Sequence, residues 1–158
     1  MFRNFKEMED YLLSNGIKKT IALANAQDDV ALEALVHAKK VGIVDAILIG
    51  DTKKIDSLLE AMNENKSDYT IIECDDERES ANLACNLIKD GKADIPMKGL
   101  MQTANFMKAI LNKELGFFKE GSLLSQATLL QFKEENRFLI ISDCAVNINP
   151  DLNAKGKI

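Results

Sequence analysis

Four times between residues 17 and 116, a short apolar run passes through a polar turn into a helical pattern. The runs are Thr20–Ala24, Asp45–Ile49, Tyr69–Cys74 and Ile95–Met97. Helical spacing follows at 30–41, at 53–63, around Ala81, Ala84, Leu87 and Ile88, and from Leu100 or Met101 through Phe106, Met107, Ile110 and Leu111 to an expected end near Lys113 to Gly116. Strands separated by helices run parallel, because the crossover returns the chain to the same end of the sheet. Asp45-Ala46-Ile47-Leu48-Ile49 is almost continuously apolar, as suits a strand covered on both faces. The punctuation agrees. Asn25-Ala26-Gln27-Asp28-Asp29 is a polar turn ending in the candidate N-caps Asp28 and Asp29, Lys39 and Lys40 fall in a last turn, and Gly42 and Gly91 are stops. The expected fold class is α/β, a doubly wound and mostly parallel sheet. A further amphipathic helix over 4–15, with Phe5, Met8, Tyr11 and Leu12 at helical spacing, precedes the first unit and stops at Asn15-Gly16.

After Gly116 the pattern changes. Ser122–Phe132 and Arg137–Ser142 are strand-like and are joined only by Lys133-Glu134-Glu135-Asn136. Four residues cannot hold a crossover helix, so the pair is expected to form an antiparallel hairpin. The expected domain boundary lies at Gly116 to Gly121, with 1–115 as domain one and 116–158 as the incomplete start of a second α/β domain. Asp151 can cap a helix, but only a short stretch follows before Ile158, and so short a helix is marginal alone. The sequence is therefore expected to end inside an element.

Charge and cysteine usage narrow the function. The net charge of −5 argues against a nucleic-acid partner, which calls for a basic face. Local cations can still hold a small anion. Cys74, Cys85 and Cys144 form no close pair, and His37 is the only histidine, so no metal site is expected. An odd set of cysteines fits a reducing compartment. No run nears the roughly 20 apolar residues of a membrane span. The N-terminal residues lack the apolar core of a signal peptide, so a cytoplasmic location with no membrane partner is expected.

The strongest local signal is Met97-Lys98-Gly99-Leu100. A strand, a glycine turn and a helix start leave backbone N–H groups free, the helix dipole favours negative charge there, and Lys98 adds a cation. Thr103 can add a hydroxyl. The same residues also suit a surface lysine at a strand end and a half-buried helix threonine. No Walker A loop and no dinucleotide glycine fingerprint is present. Ser125 on the first hairpin strand can line a cleft or face solvent. The loop Asp143–Asp151, rich in Asp and Asn, suits either a ligand at a strand exit or ordinary turn chemistry. Asp75-Asp76-Glu77 reads as a solvated helix start.

Taken together, these stretches resemble the phosphate butyryltransferases of the phosphate acetyl/butyryltransferase family. The resemblance is carried by Met97-Lys98-Gly99-Leu100, then Thr103, then Asn112-Lys113-Glu114-Leu115-Gly116, then Leu123-Leu124-Ser125, then Ser142-Asp143-Cys144-Ala145-Val146-Asn147-Ile148-Asn149-Pro150-Asp151. Gln126 stands where the family usually has histidine. The resemblance implies two α/β domains around a cleft, as in isocitrate/isopropylmalate dehydrogenases. It implies reversible transfer of an acyl group between coenzyme A and phosphate, with coenzyme A as a substrate, no other cofactor, and a homo-oligomer. Lys98, Gly99, Thr103, Ser125, Asp143 and Asn147 are the implied substrate- and phosphate-binding residues. Family members run to roughly twice this length. The resemblance therefore implies an N-terminal half, incompetent alone, with the catalytic residues expected beyond Ile158. The alternative is a non-catalytic phosphate- or nucleotide-binding α/β module.

Overall fold

The computed structural model describes residues 2–118 and 121–158. The chain divides into two compact units, Gly16–Phe117 and Met1–Asn15 with Phe118–Ile158. The expected boundary segment, Gly116 to Gly121, includes residues 119 and 120, which lie outside the described residues.

The first unit is built on β1 (Lys19–Ala24), β2 (Val44–Gly50), β3 (Thr70–Glu73) and β4 (Ile95–Lys98), in the order β3-β2-β1-β4 and all parallel. Side chains alternate across β1. Ala22 and Ala24 enter one apolar cluster with Ile49, Ala81, Ala84, Cys85 and Phe106, while Leu23 enters the other with Leu32, Leu35, Leu48, Ile55 and Leu59. Helices therefore cover both faces of the sheet, as the apolar run of β2 required. Each buried leucine contributes about 1.5–3 kcal/mol relative to its exposed state.

The helices are α2 (Asp29–Val41), α3 (Thr52–Ala61), α4 (Glu77–Lys89) and α5 (Thr103–Ile110), with α1 (Phe5–Ser14) ahead of them in the chain. Asp28, Asp51 and Asp76 each accept backbone N–H groups at the start of the helix that follows, and Gly42 closes α2 at φ 95°. From β1 the chain winds through β2 to β3, then crosses back to lay β4 on the other side of β1. Open α/β sheets bind ligands at such a reversal, beyond the strand C-terminal ends. Here those ends are Ala24-Asn25 and Lys98-Gly99.

The second unit is a hairpin, β5 (Thr128–Phe132) and β6 (Arg137–Ile141), antiparallel with Leu130 opposite Leu139. Helix α1 packs on it. The Phe5 ring meets Phe138 edge-on at 5.0 Å, and the Phe5 N–H donates to Gln131 Oε1 at 2.9 Å. Helix α6 (Leu152–Lys155) is capped by Asp151.

Four expectations change. Residues 5–14 group with the hairpin and not with the sheet of 16–117. Helix α5 opens at Thr103, not at Leu100 or Met101, because Gly99–Met101 close a turn of their own, with the Met101 N–H on Gly99 O at 2.9 Å. It ends at Ile110, short of the expected 113–116, because Asn112 starts a separate turn by accepting the Glu114 N–H. Strand β5 begins at Thr128, not Ser122. Its partner β6 ends at Ile141 opposite Thr128, so 122–127 have no strand to pair with. Among the described residues, no helix is long and apolar enough to cross a membrane.

Candidate functional site

Lys98 closes β4, beside Ala24 of β1 in the parallel register. Its ammonium donates to two carbonyls of the following loop, Met101 O at 3.3 Å and Gly99 O at 3.5 Å. Both contacts are long, and an ammonium has three donors, so one is left over. Lys98 forms no salt bridge among the described residues. Gly99 is buried against the end of β1, with its N–H on Ala24 O at 2.8 Å. A side chain there would bring Cβ to 2.2 Å from Asn25 O, so glycine is needed for the close approach.

Thr103 is the first residue of α5 and is exposed. The N–H groups of Thr103 and Ala104 donate to no acceptor among the described residues. A third N–H at this helix start is already taken. Glu77, from α4, accepts the Gln102 N–H at 2.8 Å and the Asn105 amide at 2.7 Å on one oxygen. Gln102 makes no side-chain cap of its own. Glu77 thus does what the third helical residue does in a capping box, but from a neighbouring helix. It is half-buried and is not the solvated helix start that Asp75-Asp76-Glu77 suggested.

The remaining candidates belong to the hairpin unit. Ser125 is exposed and precedes β5. Asn147 donates to Leu124 O at 2.8 Å and also to Asp143, which accepts the Val146 N–H at 3.1 Å. The Asn147 amide, ahead of the Val146 N–H, holds the Asp143 carboxyl below the usual carboxylate range. Gln126 donates to Thr128 Oγ1 at 3.2 Å, while its own Oε1 is buried without a partner among the described residues. Lys98, Gly99 and Thr103 are thus brought together in one unit, and Asp143 and Asn147 in the other. The residues that sequence reasoning missed are Glu77, Asn105, Asn25 and Ser80. Asn25 was visible only as turn chemistry, and nothing local marks Glu77 as the cap of a helix 25 residues on.

Cys74 and Cys85 are buried free thiols, and burial pushes both up, whereas Cys144 is exposed. Among the described residues, no cluster of three or more His, Cys, Asp or Glu side chains could hold a metal ion.

Residues 76–158, from the α4 cap to the last residue, match the family described as phosphate acetyl/butaryl transferase. The chain belongs to that family. The matched segment of this phosphate acetyl/butaryl transferase family chain contains Lys98, Gly99, Thr103, Ser125, Asp143 and Asn147, while Asn25 precedes it. The whole chain is 37% identical over 155 residues to a phosphate butyryltransferase of Clostridium acetobutylicum, covering 98% of this chain and 51% of that protein. It is 29% identical over 143 residues to a phosphate acetyltransferase of Thermotoga maritima, covering 90% and 48%. Among solved structures, a phosphotransacetylase from Streptococcus pyogenes superposes with a TM-score of 0.70 at 19% identity, over 92% of this chain and 52% of that one. That likeness shows the fold. The chain spans about half the length of the relatives it matches.

Proposed function

We propose that this chain is part of an acyltransferase that interconverts acyl-CoA plus phosphate with acyl phosphate plus CoA, butyryl or acetyl being the group moved. The observation that carries the reading is the Lys98 ammonium at the sheet's reversal point, followed by the unpartnered N–H groups of Thr103 and Ala104. A phosphate set there meets one full charge and the positive end of α5. Glu77 already satisfies the Gln102 N–H, so the anion's share of this helix start is the next two donors.

In the reaction, a phosphate oxygen attacks the thioester carbonyl carbon. The C–O bond forms, the C–S bond breaks through a tetrahedral oxyanion, and the thiolate takes up a proton as CoA. Each preorganised donor to that oxyanion contributes about 3 kcal/mol. Lys98, Gly99 and Thr103 are assigned to phosphate. Ser125, Asp143 and Asn147 are the second set of substrate contacts. CoA enters as a substrate, with no further cofactor. On the family resemblance, the working form is a homo-oligomer in the cytoplasm, each full-length subunit having two α/β domains around a cleft of the dehydrogenase-like kind. Family membership does not favour the alternative of a non-catalytic phosphate- or nucleotide-binding module.

Calorimetric titration with inorganic phosphate tests the assignment. Saturable binding is expected, weakened at least about tenfold in Lys98→Ala, since loss of a charge-assisted contact is worth about 1.5–3 kcal/mol. Equal affinity in wild type and Lys98→Ala removes Lys98 from the site.

A further inference from the structure

Asn25 follows β1 and adopts φ 54°, a left-handed conformation that Asn tolerates better than most residues. It is 8% exposed. Its side-chain amide donates to Leu100 O at 2.8 Å, across 75 residues of sequence. Its backbone N–H donates at 2.8 Å to Ser80 Oγ of α4, a hydroxyl that is itself fully buried and placed 3.4 Å from Ile49 O of β2. Its backbone carbonyl is the surface on which Gly99 lies. One residue therefore joins β1, α4 and the loop that follows Lys98.

The other half of the amide is informative. Asn25 Oδ1 is buried and has no partner among the described residues. Burying an unpaired acceptor is unfavourable, and a position that needed only filling would be better served by an apolar side chain. What the carboxamide supplies here is its N–H to Leu100 O.

We propose that Asn25 is the positioning residue of the 98–101 loop. Its clip on Leu100 fixes where the Lys98 ammonium and the start of α5 present themselves to an anion. The consequence for phosphate rests on the function proposed above, while the clip itself does not.

The experiment is residue-resolved amide hydrogen exchange on the whole chain, paired with phosphate calorimetry. Asn25→Gly keeps the left-handed backbone accessible and deletes the clip. Asn25→Asp keeps size and turn preference but presents a carboxylate that cannot donate to Leu100 O. In both variants, the Gly99 and Met101 amides should exchange about tenfold faster while Leu23 and Leu48 hold their wild-type protection. Phosphate affinity should fall by a similar factor. Unchanged exchange at Gly99 and Met101 would overturn the proposal. So would an equal acceleration at Leu23 and Leu48, which would mark a general loss of stability. If phosphate fails to bind even the wild type, the proposed function falls, and the exchange pattern still decides the role of Asn25.

Discussion

The two units of this chain hold their residues in opposite ways. Among the described residues, every buried apolar side chain lies between Ala22 and Leu115, within the four-stranded unit. Among the described residues of the hairpin unit, none is buried, and Leu130, Phe132, Leu139, Ile140 and Ile148 all count as exposed. The four-stranded unit places Lys98, Gly99 and Thr103 on a core that is closed on both sheet faces. The hairpin unit places Asp143 and Asn147 on a loop held by its own hydrogen bonds and one bond to Leu124 O. A rigid element positions a binding group more precisely than a loop does. The corner after β4 is therefore the better defined of the two groups of candidate residues.

The largest expected effect breaks the core that makes the difference. Leu48→Ala, at a fully buried centre of β2, should cost about 2–5 kcal/mol in urea unfolding, whereas Leu139→Ala, 38% exposed on β6, should cost under about 1 kcal/mol. Similar losses at the two positions would mean that the hairpin carries a core of its own. Next comes the corner itself. Gly99→Ala forces a methyl to 2.2 Å from Asn25 O, a backbone atom that cannot swing away. A cost of about 1–3 kcal/mol is expected from such overpacking, read from the same unfolding curves.

Smaller again is the cap given by α4. Glu77→Ala removes the carboxylate from the Gln102 N–H and should cost about 0.5–2 kcal/mol, with faster exchange confined to the first turn of α5. The smallest effect concerns acid. Asp45 is held below the usual carboxylate range, first by its hydrogen bond with Lys18 and then by Lys39. A lowered folded value means that its contribution is complete above the unfolded value of about 3.9 and is lost as pH falls through the folded one. Asp143 is lowered too, but by the Asn147 amide and not by a cation. At about 1 M salt, the Asp45 titration followed by carbon NMR should move up toward its ordinary range, while that of Asp143 stays in place. If both move together, the two carboxylates do not differ in the way described.

The sheet unit was legible because its elements are local. Each strand is a short apolar run, and the starts of α2, α3 and α4 carry their own aspartates at 28, 51 and 76. The parts that were not legible depend on partners far away in sequence. Strand β5 begins only at Thr128 because Ile141 is the last residue of β6. Helix α1 groups with the hairpin through Phe5, Phe138 and Gln131, contacts that its amphipathic pattern does not name. Lys98, Gly99 and Thr103 could be singled out from their spacing. Glu77 and Asn25, which shape the same corner, act across 25 and 75 residues, and their local context suggests only a helix start and a turn.

The central claim is that phosphate is held at the corner after β4. An NMR titration of the chain with inorganic phosphate, followed on backbone amides, tests it most directly. Saturable shifts at Gly99, Thr103 and Ala104, with a midpoint at least about tenfold higher in Lys98→Ala and with no shift at Asp143–Asn147, are the predicted result. Shifts that gather on Asp143–Asn147, or that keep their wild-type midpoint at the corner without Lys98, would contradict it.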